Sequence, residues 1–168
     1  MCNIRTARFE DLESIIEIYN QAVNAKFETA DITEINLSDR IEWFLSHKPD
    51  TYPIFVYETH GQVLGWLSFS PYRNGREALR FTIEISYYVH SNFKRQGIGS
   101  KLIEYALIES KKMKYKAIFA VIFNKNEASI NLVYKFGFIK WGHKPNITDF
   151  DGKEHRHVYL KVISYAEH

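Results

Sequence analysis

Arg80-Phe81-Thr82-Ile83-Glu84-Ile85-Ser86-Tyr87-Tyr88-Val89 leads, four residues later, into the turn Lys94-Arg95-Gln96-Gly97-Ile98-Gly99-Ser100. Side chains alternate across a strand. Ile83, Ile85, Tyr87 and Val89 therefore share one face, and Thr82, Glu84, Ser86 and Tyr88 share the other. The run from Arg80 to Val89 reads as one long strand with an apolar face and a face of hydroxyls and one carboxylate. A central strand is ordinarily apolar on both sides. The polar face is thus either a solvated edge, with Glu84 in a structural ion pair, or the wall of a site. The turn that follows carries two glycines and opens a helix with Leu102, Ile103, Ala106 and Leu107 inside. Glycine lets a backbone approach an anion, and the first N–H groups of a helix lack partners. With the helix dipole they make a phosphate site. Neither a Walker loop nor a complete dinucleotide fingerprint is present. Two glycines alone fit an ordinary flexible turn; their place after a polar-faced strand favours the anion site.

The flanks give the frame. Ile4 to Ala7 reads as a short first strand, and Asp11 can cap a helix with Leu12, Ile15, Ile16, Tyr19 and Val23 at helical spacing. Ser38 is a good cap for a second helix carrying Ile41, Phe44 and Leu45. Ile54 to Glu58 and Gln62 to Phe69 read as strands joined by the His60-Gly61 turn. Beyond the glycine turn and its helix, Ala117 to Ile122 is a buried strand. Asn126 caps a helix ending at Gly137, and Phe138 to Trp141 and His155 to Val162 are two last strands around a loop from Pro145 to Gly152. The expected fold class is α/β: a mixed sheet of six or seven strands flanked by about four helices, one domain over residues 1–168.

Composition narrows the function. The 168 residues are 45% hydrophobic and 25% charged, with 22 Lys and Arg against 20 Asp and Glu. That is a globular composition, without the dense basic stripe of a nucleic-acid binder. Cys2 is the only cysteine, so neither a disulfide framework nor a thiolate zinc site is expected. The longest apolar run, Ala117 to Phe123, is too short to span a bilayer, and no signal-peptide pattern opens the chain. The expectation is a cytoplasmic protein with no nucleic-acid or membrane partner and no metal.

The Lys94 to Gly99 segment resembles the pyrophosphate loop of GNAT N-acyltransferases. Asn126-x-x-Ser129 followed by Phe136-Gly137-Phe138 is similar to that family's last motif. Ile18-Tyr19-Asn20 and Thr82-Ile83-Glu84 resemble its phosphinothricin and methionine sulfoximine acetyltransferase branch, and Asp151-Gly152 does so less specifically. The resemblance implies a GNAT fold, acetyl-CoA as acetyl donor, direct transfer to a small-molecule amine, and a homodimer. It assigns Glu84 as general base, acting through water. It assigns Tyr87, Tyr88 and Val89 to the pantetheine arm, with one N–H there polarising the thioester carbonyl. Arg95, Gln96, Gly97, Ile98, Gly99 and Ser100 would cradle the pyrophosphate, and Asn126 would also touch the donor. Arg80 and Thr82, with Ser86 and Arg73, are the candidates for holding an amino-acid substrate, because an Arg fork binds a carboxylate bidentately.

Two positions depart from the family pattern. Lys94 opens the loop where Arg or Gln is usual. Val133 stands where a tyrosine often protonates the leaving thiolate, and Tyr134 is turned about 100° from it. Tyr19, Phe27, Trp66 and Tyr72 either wall a substrate pocket or pack the core. His155-x-His157 reads as a surface pair, and Lys111, Lys112, Lys114 and Lys116 suit a helix C-terminus. The leading expectation is N-acetylation of an amino acid or analogue. The alternatives are a protein N-terminal or polyamine acetyltransferase, and a non-catalytic acyl-CoA-binding regulator.

Overall fold

The computed structural model describes residues 2–150 and 153–163. Seven strands form one mixed sheet: β1 (Cys2–Thr6), β2 (Ile54–Thr59), β3 (Gln62–Pro71), β4 (Thr82–Val89), β5 (Ala117–Phe123), β6 (Ile139–Phe150) and β7 (Lys153–Ile163). They lie in the order β1-β2-β3-β4-β5-β7-β6. Every neighbouring pair is antiparallel except β4 and β5, which run parallel. A parallel pair needs a crossover, and here it is α3 (Ile98–Lys112).

The helices cover the sheet unequally. Ile98, Leu102, Ile103 and Ala106 of α3 pack on Leu67, Phe69, Ile83 and Ile85, and the same cluster runs on through Val133 of α4 (Glu127–Lys135) to Leu160. On the opposite face α1 (Leu12–Ala25) sets Ile15 and Ile18 against Ile54, Val56, Val63 and Trp66. Trp43 and Phe44 of α2 (Leu37–Ser46) join that layer. The two faces of β4 therefore meet different layers: Ile83 and Ile85 face α3, while Glu84, Ser86 and Tyr88 face the α1–α2 side.

Several local expectations are corrected. Asp11 stands at the N-terminus of α1, but its carboxylate makes no cap there. It accepts the Arg8 N–H at 2.7 Å and both arms of the Arg5 fork at 2.7 and 2.9 Å. An ionised Arg fork is a stronger donor than a helix N–H. The cap of α2 is Asn36, two residues before Ser38, its N–H donating to Asp39 at 3.0 Å. β4 starts at Thr82, because Glu77–Leu79 winds one 3-10 turn that ends on Arg80. The chain from Pro145 to Phe150, expected as loop, extends β6, and after an irregularity beyond Lys144 its residues Thr148, Asp149 and Phe150 pair with β7. Asp151 and Gly152 lie outside the described residues.

Candidate active site

The parallel pair β4–β5 is where the sheet opens. Its register runs from Thr82 opposite Ala117 to Ile85 opposite Ala120 and stops there, although β4 continues to Val89 and β5 to Phe123. Over Ser86–Val89 the strand is paired with β3 alone. Alternate N–H and C=O groups of a strand point to opposite neighbours, so this segment turns unpaired backbone donors and acceptors into the gap. Ile85, Ser86, Tyr87, Tyr88, Val121 and Asn126 line that gap.

A cleft of about 680 Å³ continues from it along the N-terminus of α3. Gly97 caps that helix in the left-handed conformation, at φ 81°, which only glycine adopts without strain. The first intrahelical bond runs from Lys101 N–H to Gly97. The N–H groups of Ile98, Gly99 and Ser100 therefore have no carbonyl of their own and stand at the positive end of the helix dipole. Tyr87, Tyr88, Val89, Arg95, Gly97, Ile98, Gly99, Ser100 and Asn126 all line the cleft, so nearly all the residues expected to contact the donor come together. Gln96 is the exception: its exposed side-chain amide donates back to the Asn92 carbonyl at 3.5 Å. Lys94 lies in the cleft wall with its ammonium 2.6 Å from Glu28. Asn126 caps α4, its side-chain oxygen accepting the Ser129 N–H at 3.2 Å. The donor set suits a diphosphate: backbone amides at a helix N-terminus, with Lys94 and Arg95 beside them.

Glu84 sits one strand repeat below the gap, about 7 Å along β4 from Ser86 at the usual rise per residue. Ser70 is its register partner on β3 and Phe119 its partner on β5. Tyr72 stacks on Phe119 with ring centroids 4.4 Å apart. These neighbours strip water from the carboxyl, and burial pushes its pKa up from the ordinary carboxylate value. Among the described residues no ion pair or hydrogen bond fixes Glu84, so the expected structural alternative of an ion pair is not what holds it.

A second cavity, of about 120 Å³, opens on the same face of β4. Tyr19, Arg40, Trp43, Trp66, Ser68, Ser70, Ser86 and Tyr88 supply most of its wall. Ser86 and Tyr88 belong both to this cavity and to the β4–β5 gap, so the two spaces meet at that pair. Of the expected aromatic wall, Tyr19 and Trp66 are here, Tyr72 stands beside Phe119, and Phe27 packs edge-on against His155.

Arg73 and Arg80, the arginines expected near the substrate, do not line this cavity. Arg73, Arg76 and Arg80 surround a different hollow together with Tyr52, one that shares no wall residue with the cavity above. Arg80 is exposed, lies 4.5 Å from the Phe81 ring centroid and donates to the Glu77 carbonyl at 3.1 Å. Thr82 is half-buried at the start of β4. The sequence reading missed Arg40, Trp43 and His47, and their spacing was the available signal. Positions i, i+3 and i+7 fall on one helical face, and the structure turns that face onto β3. The His47 ring accordingly reaches the Ser70 hydroxyl at 3.4 Å, and burial lowers its pKa.

Val133 is fully buried and Tyr134 is 44% exposed on the outside of α4, away from the cleft wall. His157 packs on Phe123 at 4.2 Å. Among the described residues no group of three or more His, Cys, Asp or Glu is placed to hold a metal, and no helix is long and apolar enough to cross a membrane.

Residues 12–138 match the pattern of the Acetyltransferase (GNAT) family. The Bacillus subtilis (strain 168) protein YwnH is 35% identical over 161 residues, covering 95% of this chain and 96% of its own length. The L-methionine sulfoximine/L-methionine sulfone acetyltransferase of Salmonella typhimurium (strain LT2) is 31% identical over 144 residues, covering 86% and 84%. Among solved structures, a GNAT superfamily phosphinothricin acetyltransferase from Sinorhizobium meliloti, in complex with acetyl-CoA, superposes with a TM-score of 0.90 at 26% identity. That match covers 96% of this chain and 88% of the other.

Proposed function

This chain belongs to the Acetyltransferase (GNAT) family, and from that membership we propose that it transfers acetyl from acetyl-CoA to the amino group of a small amino acid or analogue. The observation that carries the reading is the opened edge of β4. One strand offers unpaired backbone to a long donor in the gap, and two residues earlier places a desolvated carboxyl with no partner among the described residues. Relatives named for methionine sulfoximine and for phosphinothricin support the substrate class.

The chain's own groups divide the work. The N–H groups of Ile98, Gly99 and Ser100, with Arg95 and Lys94, hold the donor's diphosphate. The free edge of Tyr87–Val89 extends the sheet by pairing with the pantetheine arm, and one N–H there polarises the acetyl carbonyl as negative charge develops on its oxygen. Glu84 takes the proton from the substrate ammonium through a water, which the 7 Å offset along β4 requires. The freed amine attacks the carbonyl carbon, the nitrogen gives up its second proton to water, the C–S bond breaks, and the thiolate leaves. A thiol of pKa about 8.5 leaving unprotonated at pH 7 forfeits roughly 2 kcal/mol, so the reaction survives without an acid at position 133.

That argument makes a test of α4. Tyr134→Phe should keep most of the activity, losing well under tenfold in kcat, since its hydroxyl stands on the outer face of the helix. A hundredfold loss with unchanged circular dichroism would make Tyr134 the acid. The function itself is tested with a panel of amines and acetyl-CoA, followed by free-thiol release. Amino acids should be turned over well ahead of polyamines and N-terminal peptides. Donor binding without turnover of any amine would identify a regulator instead.

The proposal extends to a cytoplasmic homodimer, the compartment being where acetyl-CoA is available. On β6 and β7 the face opposite α4 carries Ile139, Trp141 and Ile163, each between 45% and 59% exposed. Lys161 lies only 4.0 Å from the Trp141 ring centroid. Exposed apolar side chains gathered on one sheet face suit an interaction surface, and a second copy is the partner favoured by the family. Trp141→Glu should shift the sedimenting species from dimer to monomer; a wild-type protein that sediments as monomer at high concentration would remove the dimer.

A further inference from the structure

The 120 Å³ cavity beside β4 holds a cation and a hydroxyl that the reaction above leaves unused. The Arg40 guanidinium lies 5.0 Å from the Tyr19 ring centroid and 5.3 Å from that of Trp43. Among the described residues its one ion pair is a long contact, 3.4 Å from Nη2 to Asp31 Oδ2. The Asp31 carboxylate is itself partly exposed and already accepts the Tyr19 hydroxyl. A guanidinium has five N–H donors in a rigid fork, so most of the Arg40 fork is left for a ligand.

Ser68 supplies the second, independent observation. It is 3% exposed and lines the same cavity, and its hydroxyl has no hydrogen-bond partner among the described residues. Buried hydroxyls are ordinarily satisfied, and this one opens onto the space that Arg40 also lines. Tyr19, Trp43, Trp66 and Tyr88 wall the space with rings, which lowers the local dielectric and strengthens a charged hydrogen bond. The cavity adjoins the reacting gap at Ser86 and Tyr88, which line both spaces. A ligand seated here therefore carries an anionic oxygen group within a few bonds of its amine.

We propose that Arg40 and Ser68 bind the α-carboxylate of the amino-acid substrate, making Arg40, rather than Arg80, the residue that selects amino acids over plain amines. The inference rests on the function proposed above and adds the substrate's point of attachment. Arg80 offers less: it is exposed, spends one donor on Glu77 and lines a separate hollow.

The test uses L-methionine sulfone and its α-carboxamide, which share a side chain and carry an anionic and a neutral group, respectively, at the α-carboxyl position. Arg40→Gln should raise KM for the amino acid roughly 10- to 100-fold and change KM for the carboxamide less than about threefold. Arg40→Lys should recover part of the loss, because it restores charge without the fork. Arg80→Lys should leave the ratio of the two substrates unchanged. Acetyl-CoA affinity, measured by calorimetry, should be the same in all four proteins. Equal losses on both substrates, or a ratio that moves with Arg80 and not Arg40, would overturn the assignment. If the Arg40 variants do not fold, Ser68→Ala carries the same comparison, with a smaller rise for the amino acid alone.

Should the wild-type enzyme turn over no amino acid, the proposed substrate class falls, and calorimetry with methionine sulfone then decides the cavity. Binding that Arg40→Gln abolishes would keep this assignment; binding that survives it, or none to the wild type, would end it.

Discussion

Replacing Glu84 with glutamine should lower kcat by roughly 10²–10⁴-fold while acetyl-CoA affinity barely changes. The amide keeps the shape of the side chain on β4 but cannot accept the substrate's proton. Burial raises the carboxyl's pKa, so the acidic limb of kcat/KM should lie above the ordinary carboxylate range and vanish from the residual rate of the variant. The same shift predicts the direction of stability. The folded state binds this proton more tightly than the unfolded chain, so the ionised carboxylate costs stability above its folded pKa. That cost disappears as pH falls through the folded pKa and below the unfolded one. Glu84→Gln should therefore melt higher than wild type at neutral pH, with the difference closing in acid. A variant with near wild-type turnover and a lower melting temperature would make Glu84 a structural residue.

The second large effect belongs to the cleft. A Cβ built on Gly99 meets Leu132 Cδ2 at 3.0 Å and leans toward Tyr87 and Val89. Gly99 also lines the space proposed for the diphosphate. Valine there must displace Leu132 and fill the approach to the α3 amides. At about 1–3 kcal/mol for an overpacked side chain, acetyl-CoA should bind roughly 5- to 150-fold more weakly. The backbone at Gly99 has no positive φ, so the helix should still form, and far-ultraviolet circular dichroism should match wild type. An affinity unchanged by calorimetry would take the α3 N-terminus out of the donor site.

Much of this protein follows from local pattern. Alternation along Thr82–Val89 placed Glu84 and Ser86 on one face before any contact was known, and the glycines at 97 and 99 marked a helix start with exposed amides. Both are short-range properties: strand period, left-handed backbone and helix-end donors depend on a few neighbouring residues. The errors were local choices that distant groups overruled. Asp11 leaves the helix cap because Arg5, from the first strand, offers a charged fork. Arg80 reads as the first residue of the strand, yet a 3-10 turn ends on it and β4 begins two residues later. Sequence spacing cannot show where two parallel strands part, because that depends on how α3 and β7 hold β5. Nor can it show that Arg40 in α2, some thirty residues from Ser68, faces it across one cavity. The chain alone determined the strand that carries the carboxyl and the glycine turn that opens α3; the packing of α1 and α2 over β3 and β4 decided which arginine shares their pocket, since that contact joins residues too far apart in sequence for any local pattern to link.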